Sequence, residues 1–284
     1  MSEQIFSEFD AKQIPRMLYG TAWKEDETKR LVELALSQGF RGIDTANQRK
    51  HYFERAVGEG IATAIQDGLV TRDDLFLQTK FTFQRGQDHR LPYDPEAPIG
   101  KQVEQSFAKS LEHLNTEKLD SYVLHGPSVA RGLAPDDWDA WHAMEAIVRN
   151  GSASRLGISN VSAEQLSLLC AKATVLPSFV QNRCYAVRGW DQEVRRICNE
   201  HDIVYQGFSL LTANRRELGS SKLQQIATRH SRTPEQIVFR FALDVGMLPL
   251  TGTTNAEHMS QDLAVFDFQL DAEEVRTIEK ISMK

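Results

Sequence analysis

Short apolar runs alternate along the chain with longer segments whose apolar residues recur every three or four positions. The short runs fall at 17–22, 42–45, 75–80, 121–125, 155–159, 179–181, 203–208 and 247–250. Their length and apolar content predict strands. The amphipathic stretches at 24–37, 53–66, 100–114, 135–150, 166–173, 191–199, 233–243, 255–265 and 271–281 predict helices. Within 100–114, Val103, Phe107, Leu111 and Leu114 share one helical face. Gly39, Gly68 and Gly151 follow three of these segments, where a helix needs a residue that turns the chain. Pro135 opens another, and Ser162 with Gln165 forms a capping-box pattern ahead of 166–173.

Eight strand-then-helix units in roughly 250 residues match a (β/α)₈ TIM barrel of the α/β class. No Pro-, Gly- or Ser-rich linker divides them, so residues 1–284 read as a single domain. A doubly wound open sheet would show the same alternation, but eight units exceed what most open sheets need. Nor does a Gly-x-Gly-x-x-Gly run follow the first strand. The nearest match, Gly58-Glu59-Gly60, sits inside a predicted helix. A dinucleotide, if bound, must be held in another way.

Composition narrows the class. The 284 residues are 41% hydrophobic, enough for one large core. Against 39 acidic residues stand 33 Lys and Arg, a formal charge of -6, which argues against a nucleic-acid partner. Cys170, Cys184 and Cys198 cannot all pair and lack metal-ligand spacing, so they read as reduced thiols and no metal is expected. Residues 1–16 are polar, without the apolar core of a signal peptide, and no run approaches the roughly 20 apolar residues of a membrane helix. The expectation is a soluble cytoplasmic protein with no membrane partner.

Three of the strand-like runs end in ionisable groups, Asp44, Lys80 and His125, and Tyr52 lies just beyond the first. A parallel barrel aims the carboxyl ends of all its strands at one rim, so these four converge if the fold is right. Singly, each has an ordinary reading. Asp44 is a helix cap, Lys80 a snorkelling surface lysine, His125 a structural imidazole and Tyr52 a packing residue. Together at one rim they read as catalytic.

The runs carrying these residues resemble those of the aldo-keto reductase family. Gly-Phe-Arg-Gly-Ile-Asp-Thr-Ala at 39–46 is similar to its second-strand signature. Leu-Phe-Leu-Gln-Thr-Lys at 75–80 resembles the lysine strand, and Leu-Asp-Ser-Tyr-Val-Leu-His at 119–125 the histidine strand. Gly-Ile-Ser-Asn at 157–160 and Phe-Asp-Phe-Gln-Leu at 266–270 resemble two further motifs, in the family's order and over nearly the whole chain. The resemblance implies NAD(P)H-dependent reduction of a small carbonyl substrate. Tyr52 would supply the proton, but a phenol with an ordinary pKa of about 10 is a sluggish acid near neutrality. Lys80 is expected to lower that value, Asp44 to hold Lys80 charged and in place, and His125 to orient the carbonyl oxygen.

The tyrosine loop departs from the family pattern. Family members carry Asp-x-Ala-x-x-Tyr-Gly-x-Glu, whereas here eight residues run from Asp44 to Tyr52. Counting back from Glu54 and Gly58 puts His51 opposite the family's tyrosine. Tyr52 is the better proton donor, because a longer loop can restore the position of a phenol. His51 remains the alternative donor or a substrate contact.

By the same resemblance, Ser159, Asn160 and Gln181 would bind the nicotinamide carboxamide, Phe208 would stack on its ring, and Gly20, Thr21, Ala22 and Asp44 would flank it. Ser209, Leu210 and Leu211 would continue the cofactor wall. Gly252, Thr253, Thr254, His258, Gln261 and Asp262 would meet the adenine end. Family members grip the 2′-phosphate with a Lys and an Arg. Gly252 and His258 occupy those positions here, which leaves Thr253, Thr254 and a helix N-terminus to hold phosphate. The cofactor implied is NADPH, with weaker discrimination against NAD than usual. Trp23, His51, Phe81 and Phe83 are expected to line an apolar substrate mouth. It would be widened at Gly126, where members of the family often carry tryptophan. Two other readings fit part of the pattern: a dinucleotide-binding regulatory or sensor subunit with little turnover, and an aldolase-type barrel using Lys80 as a Schiff base.

Overall fold

The pairing of the first strand with the last decides between barrel and open sheet. β1 (Leu18–Gly20) lies parallel to β8 (Met247–Thr251), with Leu18 opposite Leu250 and Tyr19 opposite Thr251. Between them β2 (Gly42–Asp44), β3 (Phe76–Phe81), β4 (Ser121–Leu124), β5 (Leu156–Ser159), β6 (Phe179–Arg183) and β7 (Val204–Phe208) pair in sequence order, closing a parallel barrel. This computed structural model describes residues 14–282. Most of the N-terminal run read for a targeting signal, and the last two residues of the chain, lie outside them.

The helices follow the strands. They are α1 (Thr28–Gln38), α2 (Glu54–Gln66), α3 (Ile99–Leu114), α4 (Pro135–Arg149), α5 (Ala163–Lys172) and α6 (Gln192–Glu200), then α7 (Ser221–His230) and α8 (Pro234–Asp244) after β7, and α9 (Ala256–Leu263) and α10 (Ala272–Glu279) after β8. Their ends sit where sequence chemistry puts them. Gly39, at φ 107°, closes α1, and Pro135 occupies the first turn of α4. Ser162 accepts a hydrogen bond from the Gln165 N–H to start α5. Helix α7 was not anticipated. Its apolar face consists of Leu223, Ile226 and Ala227, too sparse a stripe to stand out among the surrounding polar residues. Among the described residues no helix is long and apolar enough to cross a membrane.

Side chains along each strand alternate between the barrel interior and the helical layer. Leu18, Phe76, Phe179, Val204 and Leu248 pack together as an apolar floor inside the barrel. On β3, Gln78 and Lys80 share the inward register of Phe76, whereas Leu77 and Phe81 join the large cluster beneath the helices. Phe81 is therefore fully buried against Phe83 and Tyr93 and does not line a substrate mouth. Directing Lys80 inward sends its chain neighbour outward.

The Gly58-Glu59-Gly60 run serves packing, in keeping with its place inside a helix. A Cβ on Gly58 would collide with the His113 carbonyl oxygen and lie 2.8 Å from the Leu114 Cα at the end of α3. One on Gly60 would lie 2.9 Å from the Lys29 carbonyl oxygen of α1. Both glycines bring α2 close to its two neighbours. Gly58→Ala is expected to lower stability by about 2 kcal/mol or more, because backbone must move to admit the methyl group. Gly100→Ala, whose Cβ would meet the Ala143 Cβ at 3.7 Å, serves as the helical control. Urea midpoints of the two variants check this: a loss for Gly58→Ala with none for Gly100→Ala is the expected outcome.

Candidate active site

Above the apolar floor lies a layer of glutamines, and above that a buried ion pair. The Gln78 amide donates to Asp44 Oδ1 at 2.7 Å and to Gln206 Oε1 at 2.8 Å, and Gln206 donates back to Gln78 at 3.0 Å. Gln181 donates to Asp44 Oδ1 and to Gln206 Oε1, both at 2.9 Å. Lys80, 0% exposed, donates to Asp44 Oδ1 at 2.8 Å, to Asp44 Oδ2 at 2.7 Å and to the Thr45 carbonyl at 2.8 Å. Those acceptors match the three N–H donors of an ammonium. Burial draws the Lys80 pKa down, and the adjacent Asp44 carboxylate opposes that shift.

Tyr52 comes from the long loop after β2. The loop turns back on itself, with the His51 and Tyr52 N–H groups both donating to the Gln48 carbonyl at 3.1 and 3.0 Å. This turn takes up the extra residues and seats the phenol ring over the ion pair. Lys80 Nζ lies 5.2 Å from the Tyr52 ring centroid, and the ring meets His125 edge-on at 5.9 Å. The electrostatics differ from the expectation. Burial first, and the Asp44 carboxylate second, push the phenol pKa well above its ordinary range, so Lys80 does not lower it in this state. The ammonium donors face Asp44 and Thr45, and Tyr52 is held as a protonated phenol.

His125 follows β4, with its Nδ1 2.7 Å from Thr82 Oγ1. Burial, then the charge of Lys80, then His51 lower its pKa to about 3. The imidazole is neutral at ordinary pH. Asn160, in the left-handed region at φ 53°, donates from its side chain to the His125 carbonyl at 2.8 Å and ties the ends of β4 and β5 together.

Asp44, Tyr52, His125 and Asn160 line a cleft of about 730 Å³, with Lys80 buried beneath it. Most of the expected cofactor contacts line it: Gly20, Ala22, Asp44, Ser159, Asn160 and Gln181 inside, Phe208, Ser209, Leu210 and Leu211 along one wall, and Gly252, Thr253, His258, Gln261 and Asp262 at the far end. Burial lifts the Asp262 pKa to about 6, opposed by a hydrogen bond from Thr251. Thr21 and Thr254 do not line the cleft. The Thr21 side chain is buried and donates to the Asp44 carbonyl at 3.0 Å, which supports the strand. The N-terminus of α9 is partly capped by its own sequence. The Asn255 side chain accepts from the N–H groups of Glu257 and His258 at 2.8 and 3.2 Å.

A cation does stand at the far end, and sequence reasoning assigned it to a helix. Lys24 lines the cleft, donates to the Gly252 carbonyl and lies 5.8 Å over the Tyr19 ring. A Cβ on Gly252 would be 3.7 Å from Lys24 Nζ, so this ammonium occupies the space a side chain at 252 would enter. Only its place directly after Trp23 could have flagged it.

Trp23 stands 70% exposed at the mouth and stacks on His51 at 4.0 Å between ring centroids. His51 and Phe83 line a second hollow of about 480 Å³ that shares His125 and Asn160 with the cleft. His51 does not line the cleft itself, whereas Tyr52 does.

With this geometry in place, the comparisons with known proteins are specific. The profile of the Aldo/keto reductase family matches residues 16–283. The chain belongs to that family. As an aldo-keto reductase it is an NAD(P)H-dependent oxidoreductase. Aldo-keto reductase AKR2E4 of Bombyx mori is 29% identical across 96% of this chain and 90% of its own. The crystal structure of that Bombyx mori protein in complex with NADP superposes with a TM-score of 0.78 at 26% identity, covering 94% of this chain and 89% of the other. MGS-M4, an aldo-keto reductase from a deep-sea metagenome library, shares the fold with a TM-score of 0.81 at 22% identity, covering 96% and 93% of the two chains.

The half-buried imidazole has a measurable consequence. Between its ordinary pKa of 6.5 and about 3, the unfolded chain binds a proton that folded His125 does not. Its contribution therefore lowers stability as pH falls through that window. The His125 ring resonances are expected to stay at their neutral positions from pH 8 down to pH ~4. A titration midpoint near 6.5, read by NMR against a His125→Gln assignment control, would contradict the burial described.

Proposed function

We propose that this aldo-keto reductase reduces aldehydes and ketones to alcohols with NADPH, with Tyr52 as the proton donor. The bound cofactor supplies the hydride to the carbonyl carbon. The chain's own residues do the rest. Trp23 and Phe208 bound the cleft on two sides, and the neutral His125 orients the carbonyl oxygen by hydrogen bonding. Tyr52 gives its proton to that oxygen as negative charge develops on it, and regains one from solvent. The phenolate left behind faces the Lys80 ammonium across its ring, and the glutamine layer holds Asp44 and so Lys80 in position. One observation carries the reading: a phenol kept protonated by burial lies against a neutral imidazole and over a buried ammonium–carboxylate pair, in the wall of a cleft of about 730 Å³. Schiff-base chemistry at Lys80 is disfavoured, because its amine is paired with Asp44 and hydrogen-bonded on three acceptors.

The residues present suit the proposed cofactor. The cleft offers apolar faces at Phe208 and Leu210, and an ammonium at Lys24 for a phosphate. The cation missing at position 252 is thus supplied from the loop after β1, which supports NADPH as the working cofactor. Lys24→Ala is expected to weaken NADPH binding about tenfold, the loss of one charge-assisted contact. Titration of cofactor fluorescence with enzyme reads this without turnover.

The decisive assay is NADPH oxidation at 340 nm against a panel of aldehydes. Tyr52→Phe is expected to lose at least about 10²-fold in kcat while cofactor affinity stays nearly intact, the scale of a missing general acid. His51→Ala is expected to keep most of its kcat. A dead His51→Ala beside an active Tyr52→Phe would assign the proton to the imidazole instead.

A further inference from the structure

The hollow beside the cleft has a different chemistry from the apolar mouth expected there. Its polar wall is made by Gln48, His51, Thr82, Arg85 and Gln165, and no Asp or Glu lines it. Arg85 is exposed and donates through Nη2 to the carbonyl of Pro127, two residues past His125. Among the described residues no carboxylate lies within ion-pair distance of it. Nearby Arg49 and Arg90 are paired with Glu25 and Asp88. Arg85 thus keeps Nε and Nη1 without a protein acceptor among the described residues, in a hollow that opens onto His125.

Gly126 lies between the two. A Cβ there would lie 3.5 Å from the Asn160 Cβ and the Ser159 carbonyl oxygen, and Gly126 lines the hollow beside His125 and Pro127 without a side chain. Without one, a short chain bound by its carbonyl at His125 and Tyr52 can extend along Pro127 toward the guanidinium. With Nη2 anchored on Pro127, the guanidinium still has N–H donors that can give a carboxylate a charge-assisted hydrogen bond. In a chain of net charge -6, a hollow with a cation and no acid is an electrostatic exception.

From this we propose that the preferred substrates are aldehydes or ketones carrying a carboxylate a few carbons from the carbonyl, with Arg85 binding that carboxylate. This rests on the carbonyl-reductase reading above and adds the substrate class. The longer loop contributes Gln48 and His51 to the wall of the same hollow.

The test compares 4-oxobutanoate with butanal, which match in length and differ in charge. The wild type is expected to favour 4-oxobutanoate in kcat/KM by at least about tenfold, as one charged contact allows. In Arg85→Ala that ratio collapses toward one, with the loss in KM and not in kcat. Arg85→Lys recovers part of it. Raised salt narrows the wild-type preference. A ratio unchanged by Arg85→Ala, or a wild type that favours butanal, overturns the proposal while leaving carbonyl reduction standing. If neither aldehyde is reduced, the functional reading fails, and calorimetry with succinate then decides the subsite. Binding that is lost in Arg85→Ala upholds it. No binding, or equal binding by both proteins, sinks it.

Discussion

The structure depends on a single buried contact, the Lys80–Asp44 ion pair inside the barrel. Neither side chain reaches solvent to any useful extent, so each would carry a desolvation cost of several kcal/mol if left alone. Attraction alone does not repay such a cost; satisfied hydrogen bonds must add to it. Here they do. The Thr45 carbonyl takes one donor of Lys80, while Gln78 and Gln181 both donate to Asp44 and are themselves tied to Gln206. Residues from β2, β3, β6 and β7 thus close one polar layer on top of an apolar floor. Only a closed barrel can bring those four strands around one point, so the pair and the fold require each other.

That layer also sets the properties of the groups above it. Because Asp44 and Thr45 take the donors of Lys80, the ammonium faces Tyr52 through the ring and does not lower its pKa in this state. Burial, aided by the same charge, keeps His125 neutral. Two neighbouring groups able to compete for a proton are therefore sorted before any substrate arrives: the phenol holds one and the imidazole declines one. Preorganisation of this kind needs no movement at the moment of reaction.

Much of this was legible in the sequence, and the reasons are specific. Strands that end in Asp44, Lys80 and His125 announce a rim, because an ionisable group closing an apolar run needs a partner there. Register along β3 was equally readable in principle. If Lys80 points inward, Phe81 points outward, and assigning both to the pocket ignored the two-residue period. Other features depend on contacts between distant segments. Nothing near Gly252 in sequence indicates that Lys24, 228 positions earlier, fills its space. At the start of α9 the Asn255 side chain takes two of the first-turn N–H groups, a local capping rule that the positional analogy did not include. Thr21 looked like a cleft residue by position, yet its hydroxyl turns to the Asp44 carbonyl.

The choice between Tyr52 and His51 shows what a positional count cannot resolve. Counted back from Glu54, the imidazole takes the family tyrosine's place. Yet the loop folds on the Gln48 carbonyl, so its added residues bulge outward and carry His51 onto Trp23. What remains inside is the phenol. The displaced His51 is not idle in this arrangement: with Gln48 it forms the wall of the hollow that ends at Arg85. The same added residues that seat the phenol over the ion pair also shape the hollow beside it. A change in loop length can therefore alter what a barrel of this kind accepts without disturbing the ion pair beneath it, because the polar layer fixes the chemistry and the loops above it fix the company it keeps.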